Sequence, residues 1–455
     1  MPSFANGHTV SGGVFVRDRR DRTHVLGEAI TWRLLLRRFR TSQDRWTAAK
    51  NLSRHAVRAV VVRALSFNVR IGESIVPAYS LIRETYVQTK IAFSMPLGLF
   101  RSPHQVLEHW SAPGKSPEQL FGEKVALFVH FDAGGHVAPA ARDFIASLGE
   151  AGLDVVFVTN SEHILEEARA FLEQHCAAIL IRRNIGYDFG AWRDALDTLG
   201  LPRPETRAIF LVNDSLYGPF SDLKPILGAI DFERADLWGA TESWQHRYHL
   251  QSFFLGCGEA VIRSQAWREF WRSVRPIPCK DWIIRHCEIG FTRAMARGGA
   301  RCAAIFPSAS LLDEREIERL ERVIDEDHEW GGQNAKVHAE AIHADHILRC
   351  TQRPTNLLNP SVDLWRQLIQ AGYPFLKREL LLRNPTRVAD VFEWEEVVTK
   401  ALNVDPQPLA EEIRRSLGER LPAVWSPRMK AQMDQLGQAT DTPTQPSRRS
   451  TTHVG

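Results

Sequence analysis

Asn213-Asp214-Ser215 follows the short apolar run Ala208–Val212, and Gly218-Pro219 follows the cluster. An acid between an amide and a hydroxyl, at the end of a buried strand, is suited to hold a hydrated cation or a diphosphate. In open α/β sheets ligands bind beyond the carboxyl ends of strands. Magnesium and manganese sites on nucleotides use one or two carboxylates, with phosphate and water completing the shell. This is the arrangement expected of an enzyme with a nucleotide-activated substrate: Asp214 on the metal or diphosphate, Asn213 on the nucleotide, Ser215 toward the sugar. The competing reading is a turn in which these side chains bond their own backbone.

Other segments carry related chemistry. Asp132-Ala133-Gly134-Gly135 follows the apolar run Val125–Phe131; its glycines would let a ligand approach the backbone closely. In Asn184-Ile185-Gly186-Tyr187-Asp188, Asn184 and Gly186 suit a left-handed turn and Tyr187 could stack on a base or sugar. Asp188 could bind a ribose hydroxyl or cap the helix expected from Phe189. Trp244, His246, Tyr248 and His249, followed by Gln251, could form a sugar platform, or simply a solvated loop. A base that takes a proton from an attacking hydroxyl must lie within reach of it, and an ionised carboxylate can serve; Glu288 is the first choice, then Asp281, with Glu242 behind. His338, His343, Asp345 and His346 have the residue types of metal ligands, but their spacing fits no zinc motif and a polar helix face accounts for them.

The elements that must position these residues read as alternating strands and helices: strands at Val125–Phe131, Asp154–Thr159, Ala178–Ile181 and Ala208–Val212, with helices at Pro139–Gly149, Ser161–His175 and Phe189–Leu199. Repeated β-α units predict a mostly parallel sheet with right-handed crossovers. Strands are expected at Asp236–Thr241, Gln251–Leu255 and Cys302–Phe306, helices at Gln265–Val274, Asp281–Arg297 and Ser361–Ala371, and an exposed helix and loop at Glu314–Asn334, with Leu376–Leu382 continuing as helix. Pro103–Pro117 reads as a polar connection.

Residues up to Leu120 hold 18 Lys and Arg against 8 Asp and Glu. Such asymmetry suggests an anionic partner. Helices are expected at Glu28–Arg40, Arg45–Leu65 and Ala78–Ala92; the first, with Trp32, Leu35, Leu36 and Phe39 beside arginines, suits an anionic membrane surface. No nucleic-acid recognition motif is present. No apolar run approaches the roughly 20 residues of a spanning helix, and no signal peptide is recognised. Six cysteines without a CxxC pair argue for reduced thiols. The expectation is a cytoplasmic protein, peripheral at the inner face of the cell membrane.

On RRNIGYDFGAWRDAL (Arg182 to Leu196), FLVNDSLYGPF, DLWGATES, HLQSFFL, CEIGFT and NPSVDLWRQLIQAGYPFLKRELLLRNP (Asn359 to Pro385), the chain resembles the rhamnan synthesis protein F family of bacterial polysaccharide glycosyltransferases. The resemblance spans roughly Lys124 to Pro385. It implies an α/β, GT-A-like mostly parallel sheet flanked by helices, and transfer of a sugar such as rhamnose or another deoxyhexose from a nucleotide-sugar to a lipid-linked or growing glycan. It also implies that Asn213-Asp214-Ser215 stands where the family of folds carries its acidic metal motif, here reduced to one aspartate, so that a divalent cation (Mg or Mn) is open to question. The organisation expected is a basic helical region over 1–118, a glycosyltransferase domain over 119–386, a helical extension over 387–438 and a disordered tail over 439–455. The alternative is a non-catalytic nucleotide-sugar or glycan-binding module of an assembly complex.

Overall fold

Val125, Leu127 and Val129 face one apolar core and Ala126 and Phe128 face another, the period of two expected of a strand. A strand buried on both faces belongs inside a covered sheet. In the computed structural model, residues 84–95, 105–114, 116, 119–330, 335–351, 358–384 and 388–417 are described. The chain divides into units 1–85 and 86–455; the account below concerns the second. The expected helices Glu28–Arg40 and Arg45–Leu65, the basic surface, the C-terminal helix beyond 417 and the polar tail lie outside the described residues. Residues 84–95 are helical, in keeping with part of the third expected helix. Among the described residues no helix is long and apolar enough to cross a membrane.

The fold is mixed α/β, a central sheet flanked by helices. Its strands are β1 (Val106–Ser111), β2 (Lys124–His130), β3 (Asp154–Thr159), β4 (Ala178–Arg182), β5 (Ala208–Asn213), β7 (Leu237–Ser243), β8 (His249–Leu250), β9 (Phe254–Gly258) and β10 (Cys302–Phe306); β6 (Leu216–Tyr217) lies apart. The order is β1-β4-β3-β2-β5-β9-β7-β10, with β8 beside β7. The pairs β4/β3, β3/β2, β2/β5 and β7/β10 are parallel, whereas β9 runs antiparallel to both neighbours. Helices α1 (Pro139–Glu150), α2 (Glu166–His175) and α3 (Tyr187–Leu199) follow β2, β3 and β4.

Four expectations are corrected. Residues Val106–Ser111, read as connection, form β1, paired antiparallel with β4. Helix α2 starts at Glu166 rather than after Ser161, because the Ser161 hydroxyl accepts from the Asp132 N–H at 3.0 Å and from Thr159 Oγ1 at 2.7 Å. Of the strand expected at Gln251–Leu255, Phe254 and Leu255 begin β9, whereas Gln251–Phe253 form the turn between β8 and β9. Leu376–Lys377 is not helical: it forms β11, antiparallel to β6, and the helix starts at Arg378.

The segment before α3 is fixed by a buried charge network. Arg182 and Asp194 are both 0% exposed, 2.9 Å apart. Arg182 also donates to the Ile185 carbonyl at 2.7 Å and to Asn160. Arg193 and the Gln105 N–H complete the Asp194 carboxylate, at 2.5 and 3.2 Å. Charges this deep persist only when paired and hydrogen-bonded. Much of the RRNIGYDFGAWRDAL motif is therefore scaffold that aims the Asn184–Asp188 turn.

Residues 388–417 share a core with the β6/β11 pair: Trp394, Val398 and Ile413 cluster with Tyr217, Trp365 and Leu376. Buried Glu412 accepts the Ala140 N–H at the start of α1 at 2.9 Å, where a carboxylate also suits the helix dipole.

Candidate functional site

Strand order reverses between β2 and β5: β3 and β4 lie on one side of β2, later strands on the other. The crevice beyond the carboxyl ends of two such strands is the usual ligand site of an open α/β sheet. Here the register sets Val129 against Asn213, so the chain leaves both strands side by side. The Asp214 N–H donates to the Val129 carbonyl at 3.0 Å, and the Phe131 N–H to Asp214 Oδ2 at 3.2 Å. Asn213 donates its amide to Asp188 Oδ2 at 2.9 Å, and its Oδ1 accepts the Ser215 N–H at 3.0 Å.

Asp188 is thus drawn to Asn213. It does not cap α3: the helix starts one residue earlier, at Tyr187, after Gly186 in the left-handed region (φ 82°) with no side-chain cap. A Cβ at Gly186 would lie 3.2 Å from Pro276 Cα, so both conformation and space require glycine. Tyr187 is itself left-handed (φ 52°) and exposed, a strained conformation that a non-glycine residue adopts only under constraint.

Glu288 closes a π-helical turn, Ile283–Glu288, ahead of α4 (Ile289–Arg297). Such turns are rare and concentrate at functional sites. Its Oε1 accepts from the Ser252 N–H and hydroxyl at 3.3 and 3.1 Å. The next residue, Phe253, gives its carbonyl to the Asn213 N–H at 3.2 Å. Burial first, then the Asp214 charge, push the Asp188 carboxyl up to about 7; the Asn213 amide opposes this, Glu288 adds to it and Lys280 opposes it. Asp188, Asn213, Asp214 and Glu288 therefore form one cluster.

That shift sets a pH dependence. A carboxyl whose pKa is higher folded than unfolded binds more protons in the native state between the two values, so its contribution to stability is present in acid and lost as pH rises through about 7. Asp188→Asn should therefore raise the melting temperature more at pH 8 than at pH 5. An equal change at both would mean that Asp188 ionises normally.

The other candidates are spread more widely. Asp132 Oδ1 accepts the N–H groups of Gly134 and His136 at 2.9 and 3.0 Å, an Asx turn beyond β2. Gly135 (φ 74°) packs against His163. The Asn184 side chain is exposed beside this edge. Asp281 is held by Lys90 at 2.6 Å. Glu242 accepts from the Ser308 N–H and hydroxyl, each at 3.2 Å. Gln251 is buried, its amide spent on Thr241 and Asn359 at 2.6 and 2.8 Å, and His249 is buried with Nδ1 2.8 Å from the Arg247 carbonyl. Trp244 and His246 stay exposed at the loop tip, Trp244 against Tyr248 with ring centroids 5.0 Å apart. His338 pairs with Asp327 at 2.9 Å and His343 with the Asp363 carbonyl at 2.9 Å.

Sequence reasoning missed two cations. Arg378 Nη1 donates to the main-chain oxygen and Oδ2 of Asp214 at 3.1 and 3.3 Å, and Lys377 precedes it. The available signal was the adjacent Lys-Arg pair in YPFLKRELLLRNP, but only the β6/β11 pairing brings it to Asp214. Among the described residues no group of three His, Cys, Asp or Glu could hold a metal ion. Asp214 is the lone aspartate of its motif, and its Oδ2 already accepts a backbone N–H and a guanidinium. A divalent cation here would rest on Asp214 with phosphate and water completing its shell, rather than on a set of protein carboxylates.

Residues 155–324 match the family model for rhamnan synthesis protein F, the family that the motifs resemble. The window contains α3, Asn213–Ser215 and Glu288, and leaves out β2, Lys377 and Arg378. An uncharacterized protein of Sinorhizobium fredii, y4gN, is 30% identical over 165 residues, 35% of this chain and 43% of that protein; the chain thus spans less than half the length of that relative. Virulence protein VirA of Vibrio anguillarum is 28% identical over 248 residues, 54% of this chain and 74% of VirA. Among solved structures, a mannosyltransferase from Pyrobaculum calidifontis, PcManGT, in complex with GDP-Man and Mn2+, aligns over 84% of this chain and 98% of its own, at 10% identity and a TM-score of 0.27. A likeness that loose carries no residue correspondence.

Proposed function

We propose that the chain is a glycosyltransferase with a GT-A-like fold, moving a sugar from a nucleotide-sugar donor to a lipid-linked or growing surface glycan. The observation that carries this reading is the Asp188–Asn213–Asp214–Glu288 cluster at the switch point of the sheet, in a segment that matches rhamnan synthesis protein F. A deoxyhexose such as rhamnose is the donor sugar this family resemblance suggests.

On this reading the nucleotide lies across Asp132–Gly135 and Asn184–Asp188, with its diphosphate toward Asp214. Ser215 faces the sugar, and the exposed Trp244 and His246 meet the acceptor glycan. An acceptor hydroxyl attacks the anomeric carbon in line, its proton passes to the Glu288 carboxylate, and the nucleoside diphosphate leaves. Positioning and charge stabilisation at the leaving group supply most of the rate.

Asp214→Asn tests the reading. Sugar transfer should fall about 100-fold, or roughly 2.7 kcal/mol of transition-state stabilisation. Folding stability should change by about 1 kcal/mol or less, because the Arg378 pair is partly solvated. Near-normal turnover in the folded variant would remove Asp214 from the mechanism. The reduction of the acidic motif to one aspartate favours a second reading, a binding module without catalysis. A donor that is bound by the protein, yet never consumed with any glycan acceptor, would select it.

A further inference from the structure

Two cations bracket the acidic cluster from a segment that the proposed mechanism has not used. Lys377 pairs with Leu216 across β6/β11, and Arg378 N–H donates to the Ser215 carbonyl at 2.8 Å, so both are fixed against the chain that leaves Asp214. The Arg378 guanidinium stacks over Tyr217, 5.2 Å from its centroid. It spends Nη1 on Asp214, and its other nitrogens meet no carboxylate or carbonyl among the described residues. The Lys377 ammonium lies over the Phe253 ring at 5.7 Å. Among the described residues it has no salt-bridge partner; Glu288 acts on it only through space. A half-buried ammonium without an ion-pair partner is costly; Arg378 reaches Asp214 at the switch-point crevice, and Lys377 lies against Phe253, whose carbonyl accepts the Asn213 N–H there.

We propose that Lys377 and Arg378 form the binding site for the donor's diphosphate, with Asp214 as the positioning residue that holds Arg378, so that no protein-held divalent cation is needed there. This rests on the sugar-transfer reading. The guanidinium fork matches two phosphate oxygens at once, and the ammonium serves as a point charge. The arrangement also explains why Asp214 stands alone: its partner is an arginine rather than a second carboxylate around a metal. Burial pulls the Lys377 ammonium below the usual lysine range and the Glu288 charge opposes that shift; an arriving diphosphate would add to the opposition and keep the amine charged.

The experiment is calorimetric titration of the full chain with UDP, GDP, dTDP and inorganic pyrophosphate, in EDTA and again with Mn2+ or Mg2+. The expected result is binding of at least one of these in EDTA, weakened about tenfold or more by Lys377→Met and by Arg378→Met, the loss of a charge-assisted hydrogen bond. Arg378→Lys should recover part of the loss, and melting curves without ligand show that each variant is folded. Binding that requires the added metal, and that Lys377→Met leaves unchanged, would overturn the inference while sugar transfer stands. Absence of binding under every condition would overturn the transfer reading and this inference together.

Discussion

Glu288→Gln leaves donor binding close to that of the unaltered protein and lowers turnover by about 10²- to 10⁴-fold, the range for loss of a general base. The substitution keeps size and polarity, and the Gln oxygen can still accept from Ser252, as Glu288 does at 3.3 and 3.1 Å; only the ability to take a proton is lost. Asp281→Asn is the control. The Asp281 carboxylate is bound to Lys90 at 2.6 Å and should be milder in its effect on turnover. Steady-state transfer rates, with donor affinity measured separately, decide between the two. Full activity in Glu288→Gln together with loss in Asp281→Asn would move the base to the start of the helical stretch, before the π-helical turn.

Asp194→Asn costs the fold about 3–5 kcal/mol, the penalty for breaking a buried ion pair from one side. The residue is 0% exposed, and its charge answers both Arg182, 2.9 Å away, and Arg193, 2.5 Å away. The amide cannot neutralise either guanidinium. Denaturant unfolding of the variant and its parent measures the difference. A loss under about 1 kcal/mol would mean that water or a shifted side chain satisfies Arg182. Because the same network anchors the Ile185 carbonyl, weakened donor binding should accompany the loss of stability.

The parallel half of the fold was legible because its strands are uninterrupted apolar runs: Val125–Val129, Val155–Val158, Ala178–Ile181 and Ala208–Val212 are buried along their length. Their ends could therefore be placed, and with them Asp214 and Asn213. What escaped the sequence depends on partners far along the chain. Strand β1 has mixed exposure and is recognisable only from its pairing with β4. The helix expected from Ser161 starts later because the Ser161 hydroxyl is claimed by Asp132 and Thr159. Asp281, second to Glu288 as a candidate base, is held by Lys90, 191 positions earlier, a partner that no local pattern reveals. Arg378 lies 164 positions from Asp214, and a two-residue strand like β11 leaves no periodicity to read.

The strand order also has a consequence for the growing polypeptide on the ribosome. β2, β3, β4 and β5 can pair with one another in the order of their synthesis, except that β5 returns to the far side of β2. Its other edge belongs to β9, which begins at Phe254, about 40 residues after β5 ends. At roughly 5–20 residues per second, that edge waits about 2–8 s for its neighbour. β7 emerges in the interval and must leave room for β9 instead of taking the open place. An unpaired inner edge is a template for wrong partners, so the nascent chain is most exposed to misassembly while residues between Asn213 and Phe254 are being made.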